Sequence, residues 1–91
     1  MLYTFGDPDT YVSSAITWTA TKDCYICGGV FVKTIGKDAS VGIVGGPSAK
    51  IYAGISGILE HPISPFPVKK GQTAYVSGPE FCSRIKAYEM F

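Results

Sequence analysis

The sharpest chemical pattern in the sequence is the run from Cys24 to Cys27, in which two cysteines flank two residues and two glycines follow. This spacing is typical of half of a zinc site, because the glycines allow the tight turn that presents both sulfurs to one ion. A closed structural zinc site needs four nitrogen or sulfur ligands. The only other candidates are Cys82 and His61, which together would give a Cys3His site.

The same run also has the composition of a β-strand, which argues against a shared metal. Tyr25 and Ile26, between the cysteines, are good strand formers. In a strand, Cys24 and Cys27 would point to opposite faces and could not bind one ion. No second paired motif accompanies the first. We therefore expect no metal and no cofactor, and keep a small zinc-stabilised domain as an alternative.

No arrangement of residues predicts catalysis. His61 is the only histidine and precedes a proline, and no nucleophile is positioned beside it by the sequence. The carboxylates are scattered, and the Asp7-Pro8-Asp9 pair is more typical of a turn than of a cation site. No helix is predicted after the glycine pairs, so they are not phosphate loops. We expect no catalytic residues and no enzyme activity.

Tyrosines are the best candidates for binding. Tyr52, Tyr75 and Tyr88 lie opposite the apolar positions of their predicted strands. Exposed tyrosines stack on sugars or fill oligomer interfaces. Together with His61, they are the predicted surface, receptor or oligomer contacts. Cross-strand packing on a half-exposed sheet is the competing interpretation.

Composition excludes several classes of protein. The 91 residues are 46% hydrophobic and 16% charged, with a formal net charge of +1 and no basic stripe, so we expect no nucleic-acid binding. No apolar run approaches the roughly 20 residues of a membrane helix, and the N-terminus lacks the pattern of a signal peptide. Three cysteines, an odd number, favour a reducing compartment over a disulfide framework.

Short alternating runs separated by glycine and proline predict an all-β fold. Ile16 and Trp18 alternate with threonines inside a strand predicted over 11–20. The Gly28-Gly29 pair predicts a bulge, a bend or a close backbone approach. Turns are predicted at 36–39 (as a hairpin), 45–48, 68–73 and 78–80. The strand after the turn at 45–48 is predicted to continue to Glu60. Residues 81–91 are predicted to form the last strand.

Segment 61–67 carries three prolines in seven residues, which remove ladder donors, and predicts an extended segment that crosses the surface. Counting the runs gives about six to eight short strands, which indicates a compact antiparallel β-sandwich or jelly roll. We expect one domain over 1–91, with 1–10 as a possible N-terminal lead-in.

One stretch resembles a known family. Residues 67–78, Pro-Val-Lys-Lys-Gly-Gln-Thr-Ala-Tyr-Val-Ser-Gly, resemble a hairpin of small β-sandwich domains in bacteriophage tail-fibre and head-fibre proteins. The start of the second strand after Trp18, a glycine-rich hairpin at 36–47 and the aromatic-rich end at 84–91 extend the resemblance over 15–91.

The resemblance implies a homotrimer at the end of a fibre, with a role in virion assembly or host-surface attachment. It implies other virion proteins and a host cell-surface glycan as partners, a virion location after assembly in the host cytoplasm, and no catalytic residues. A carbohydrate-binding module from another system stays open as an alternative function.

Overall fold

A computed structural model describes residues 1–33, 37–52 and 61–90, with Tyr52 described in its backbone only. The described residues form nine strands and no helix. In chain order the strands are β1 Tyr3–Thr4, β2 Ile16–Thr19, β3 Cys24–Val32, β4 Asp38–Ile43, β5 Ser48–Tyr52, β6 His61–Val68, β7 Thr73–Ser77, β8 Phe81–Ser83 and β9 Lys86–Glu89.

The strands form two antiparallel sheets, which confirms the all-β prediction. The first sheet has the order β1-β9-β3-β6, and β8 pairs with β3 beyond the end of β9. The second sheet has the order β2-β7-β4-β5. The terminal strand predicted over 81–91 is therefore two strands, β8 and β9, which run along the same side of β3 and are separated by Arg84 and Ile85.

Both sheets contribute to one apolar core, so the arrangement is sandwich-like. In β3 and β7, buried residues alternate with partly exposed ones, as the period of a half-buried strand requires. Burying one such side chain completely contributes roughly 1.5–3 kcal/mol. The fully buried core residues include Cys24, Ile26, Val30 and Val32 from the first sheet and Val41, Ala74 and Val76 from the second.

Three aromatic rings join the two sheets at one side. Tyr3, from the first sheet, stacks on Trp18 of the second with ring centroids 5.2 Å apart, and Phe5 meets both rings edge-on. Phe5 is completely buried. Residues 1–10, expected as a possible lead-in, thus contain a strand and a core residue. The strand predicted over 11–20 is shorter than expected, since β2 begins at Ile16.

The proline-rich segment is extended and largely exposed, as predicted, but it is also a paired strand, which the prediction did not include. β6 pairs with β3 from Cys24↔Val68 to Val30↔His61, with a bulge that places Ser64 and Pro65 opposite Cys27. Proline is tolerated here because β6 is the outermost strand of its sheet among the described residues. Missing N–H groups on that strand also discourage a further strand from adding to the edge.

The hairpin predicted at 36–39 is wrong, because β3 and β4 lie in different sheets. The chain passes from one sheet to the other between them. The turn predicted at 45–48 is confirmed as the connection of the β4–β5 hairpin, and Gly45 has a φ of 75° there. The predicted continuation of β5 to Glu60 lies outside the described residues.

The turn predicted at 68–73 is confirmed, and it links β6 to β7. The backbone N–H of Gln72 donates to the carbonyl of Lys69 at 2.9 Å, and the Gln72 side chain accepts from the N–H of Lys69 at 2.9 Å. Gly71 supplies a φ of 90°. These bonds pair backbone polar groups of the turn, through which the chain passes from the first sheet to the second.

The glycine pair in β3 marks a close backbone approach, as predicted. Gly28 has a φ of 128°, and a Cβ atom there would overlap the carbonyl oxygen of Arg84. The neighbouring Arg84 N–H donates to the carbonyl of Gly29 at 2.9 Å. Only glycine fits this position, because both the φ and the space exclude a side chain.

We expect Gly28→Ala to lower the free energy of unfolding by roughly 2–5 kcal/mol, the sum of left-handed strain and overpacking. Gly71→Ala is the matched control, since Gly71 also has a positive φ but open space around its missing Cβ. The control should cost only about 1–2 kcal/mol. Urea denaturation measures both, and equal losses would contradict the close approach at Gly28.

Candidate binding surface

The outer face of the first sheet carries outward side chains of three adjacent strands. We call the surface made by Tyr25 and Cys27 of β3, Lys86 and Tyr88 of β9, and Pro67 of β6 the Tyr25–Tyr88 face. Buried neighbours on both strands, such as Ile26 and Ala87, point the other way into the core. Strand alternation alone therefore turns these five side chains outward.

Two stacked tyrosines stand at the centre of this face. Tyr25 pairs with Tyr88 on one side and with Pro67 on the other, so the three form a row across the sheet. The tyrosine ring centroids are 5.6 Å apart and the rings are inclined by 24°. Both tyrosines are partly exposed. The two tyrosines therefore pack against each other across the strands and are also partly exposed to solvent.

A depression of about 470 Å³ lies on the Tyr88 side of the stack, and we call it the polar depression after the charged and hydroxyl-bearing residues in its lining. Its volume is within the range of small-molecule sites, roughly 300–1,000 Å³. Two cations and one carboxylate line it, together with hydroxyl and thiol groups. The lining residues are Thr4, Pro8, Asp9, Cys27, Gly28, Ser83, Arg84, Lys86 and Tyr88.

The N-terminal segment forms one wall of the polar depression. It is held to the first sheet by a bridge between Val12 and Phe81. Two hydrogen bonds to Asp7 close the turn that precedes Val12. The Asp7 side chain accepts the N–H of Asp9 at 2.8 Å, and the Asp7 carbonyl accepts the N–H of Thr10 at 3.2 Å. The Asp7-Pro8-Asp9 segment is therefore a turn, as its sequence predicted.

An apolar depression of about 440 Å³ lies on the Tyr25 side of the stack. It is lined by Tyr25, Pro65, Pro67 and Met90. Met90 is 41% exposed, and its N–H donates to the carbonyl of Asp23 at 3.0 Å. The tyrosine stack thus separates a polar and an apolar concavity on one continuous surface.

The cysteines occupy three different environments. Cys24 lies in the core, and burial, with the nearby Asp23 carboxylate, raises the pKa of its thiol. Cys82 is covered by the N-terminal turn, and burial raises its pKa as well. Cys27 is partly exposed in the polar depression. Cys24 and Cys27 therefore lie on opposite faces of the strand, as predicted.

No group of three or more His, Cys, Asp or Glu side chains in residues 1–33, 37–52 and 61–90 is arranged to hold a metal ion. The four residues considered for a Cys3His site are thus not gathered there. His61 is partly buried, and its Nε2 has no hydrogen-bond partner among the described residues.

The predicted contact residues do not form one site. Tyr88 lies on the outer face of the first sheet, whereas Tyr75 lies on the outer face of the second, opposite Gly42 of β4. The side chain of Tyr52 is outside the description. Sequence reasoning did not single out Tyr25, although its position between Cys24 and Ile26 already indicated an outward side chain if the segment is a strand.

No protein-family model, curated protein or solved structure matches this chain. None of the described elements is a helix long and apolar enough to cross a membrane.

The three environments predict different reactivities of the thiols. We expect one thiol per folded chain to react rapidly with Ellman's reagent at neutral pH, because Cys27 is accessible while Cys24 and Cys82 are buried. The raised pKa values of the two buried thiols should keep them protonated and slow at mildly alkaline pH. Cys27→Ser should abolish the rapid phase, and all three wild-type thiols should react in denaturant. Two or more rapid thiols in the folded wild type would contradict these environments.

Proposed function

We propose that this chain is a jelly-roll module of a bacteriophage particle, a fibre knob or decoration domain. It assembles as a homotrimer with other virion proteins and uses the Tyr25–Tyr88 face to attach to the host surface. It has no catalytic role and resides in the virion after assembly in the host cytoplasm. The strand pairing carries this proposal.

The strands pair in nested order from the ends of the chain inwards. β1 pairs with β9, β2 with β7, β3 with β6, and β4 with β5, all antiparallel. Counting β8 and β9 as one interrupted strand along β3 gives eight strands. Such nesting is expected of a long hairpin rolled over two sheets, the path of a jelly roll, and it supports the proposed topology. Jelly rolls recur in viral capsid and lectin domains, which supports a virion module with a binding surface.

The surface chemistry supports attachment through the first sheet. A row of Tyr88, Tyr25 and Pro67, continued by Pro65 and Met90, offers rings and apolar edges with few charges. Tyrosine is favoured at recognition surfaces because it combines a large ring with a polar tip and few rotatable bonds. The stack is pre-ordered by cross-strand pairing, so little side-chain entropy is lost when a ligand binds.

The turn within 67–78, where the sequence resembles a hairpin of phage fibre domains, is formed with the backbone and side-chain bonds of Lys69 and Gln72, but it joins strands of different sheets, so the expected hairpin is absent. One further observation agrees with the phage setting. The three cysteines are unbridged. Free thiols suit assembly in a reducing cytoplasm.

Sedimentation of the purified chain tests the proposal. We expect a trimer at micromolar concentration for the wild type and for Tyr88→Ser, because an attachment face points away from the contacts between copies. Tyr75→Ser, on the outer face of the second sheet, is the matched control. A wild-type monomer would contradict the fibre-type module. Loss of the trimer in Tyr88→Ser alone would show that the Tyr25–Tyr88 face joins copies instead of binding the host.

A further inference from the structure

We infer that copies of this chain join head to tail through the second sheet, with β5 of one copy paired antiparallel to β2 of the next. In the inferred register, Lys50 lies opposite Thr17 of the partner subunit, and Ala49 lies opposite Trp18 of the partner subunit. This joint rests on the proposed homotrimer and names the surfaces through which its copies meet.

Among the described strands, the edges of the second sheet are the ones that can accept another strand over several residues. In the first sheet, β1 has only two residues, and β6 contains three prolines, which lack N–H groups. In the second sheet, the outermost described strands are β2 and β5, and neither contains proline. The two sides of the sandwich therefore each present one edge suited to pairing.

The backbone of β5 directs alternate polar groups away from β4. The N–H of Ile43 donates to the carbonyl of Pro47 at 3.0 Å, which marks a hydrogen-bonded pair of the β4–β5 ladder. In an antiparallel ladder, such pairs alternate with pairs whose N–H and C=O groups point outwards. Ala49, two residues after Pro47, therefore bonds to β4, whereas the N–H and C=O groups of Ser48 and Lys50 point to the edge.

The backbone of β2 has the same pattern. The N–H of Ala20 donates to the carbonyl of Gln72 at 2.9 Å, in register with the β2–β7 ladder. Trp18, two residues earlier, therefore bonds to β7, whereas Thr17 and Thr19 direct their N–H and C=O groups to the edge. The groups at both edges thus recur at every second residue, as the pairing of two antiparallel strands requires.

The directions of the strands fit a ring. β2, β7, β4 and β5 are successively antiparallel, so the two edges of the sheet run in opposite directions. Rotation about an axis along the strands brings β5 of one copy beside β2 of the next in antiparallel orientation. A contact between two different edges is heterologous, and such contacts generate a ring when the rotation closes. With the second sheets towards the axis, the Tyr25–Tyr88 face points outwards.

The core sides of the two edges are apolar and incompletely covered. Ala49 lies on the same side of the sheet as the buried Val41, but it is exposed. It lines a cleft of about 230 Å³ between β5 and β6, together with apolar residues such as Ile63 and Phe66. Trp18, on the opposite side of the sandwich, is partly exposed. Pairing Ala49 with Trp18 of the partner subunit sets a small residue beside a large ring, which covers the cleft.

The charges of the two edges favour this pairing over self-pairing of β5. Lys50 is exposed, and its Nζ lies 3.9 Å from the carboxylate of Asp38. Two β5 strands paired antiparallel about their centres would set Lys50 opposite its own copy, and like charges placed in this way are destabilising. β2 contains no charged residue, so it places the hydroxyl of Thr17 opposite Lys50 instead.

The size of the sandwich allows a stable joint. The Cα atoms extend over 38 × 24 × 21 Å, so a contact along one long side can reach about 800 Å², the area that a stable interface takes from each partner. The short ladder between β5 and β2 fixes the register, and the covered cleft adds apolar area.

Cysteines placed at the inferred register test the joint directly. Hydrogen-bonded residues of an antiparallel pair have Cα atoms about 5.5 Å apart, within the range of a disulfide. In a Cys27→Ser background, we expect the double variant Lys50→Cys, Thr17→Cys to give covalent dimers and trimers on a denaturing gel after treatment with oxidised glutathione. Each single variant should stay uncross-linked. Covalent dimers from Lys50→Cys alone would show self-pairing of β5 and overturn the joint.

Proline at either edge tests the backbone bonds. Lys50→Pro and Thr17→Pro each remove an N–H group that points away from the rest of its own sheet. We expect each variant to raise the concentration of half-assembly in sedimentation at least tenfold, because a hydrogen bond and the close approach of the strands are lost. Lys50→Ala and Thr17→Ala keep the N–H groups and should assemble like the wild type. Circular dichroism checks that the proline variants fold, and the cross-link decides independently of them.

The failure of this joint can be told from the failure of the proposed function. Wild-type trimers that persist in both proline variants, with no cross-link in the double variant, would overturn the joint and leave the trimeric module standing. A wild-type assembly of another size that cross-links only in the double variant would support the joint and contradict the trimer. A wild-type monomer without cross-links would overturn both.

Discussion

The backbone approach between Gly28 and Arg84 is the constraint on which the first sheet depends. β3 lies between β6 on one side and β8 and β9 on the other, so every pairing in that sheet except β1–β9 includes it. The missing side chain at Gly28 lets the chain pass from β8 to β9 at Arg84 and Ile85 without leaving β3. The same register then aligns Lys86 with Cys27 and Tyr88 with Tyr25. The proposed contact surface is a direct consequence of one glycine.

The two outer faces of the fold differ in chemistry. The first sheet presents stacked tyrosines, prolines and two cations around two depressions. The second presents mainly small polar side chains, such as Thr17 and Ser77, with Tyr75 opposite Gly42. The side of the sandwich between β1 and β2 is closed by Tyr3, Phe5 and Trp18. Among the described side chains, the stacked aromatic rings thus lie on the outer face of the first sheet.

The sequence predicted local features well and partnerships poorly. Alternation around Trp18 and the glycines at 28, 45 and 71 are dictated by side-chain period and by φ, which are properties of neighbouring residues. Strand partners depend on contacts between distant residues, so the crossing between β3 and β4 was mistaken for a hairpin. The proline segment was predicted as extended, but its pairing with β3 was not, because proline is tolerated only at an edge and the edge depends on the order of the sheet. Tyr88 was predicted to be exposed for contacts, and strand alternation indicated an outward Tyr25, but only the register between β3 and β9 places the two rings side by side.

The central claim is that the chain works through the Tyr25–Tyr88 face, and an amide correlation spectrum recorded by NMR during titration with surface glycan of the host bacterium tests it most directly. The account predicts that the amide signals of Tyr25, Cys27, Lys86 and Tyr88 shift together, while those of Thr17 and Tyr75 on the second sheet stay in place. Shifts centred on Tyr75 and its neighbours, or a spectrum that does not change, would contradict it.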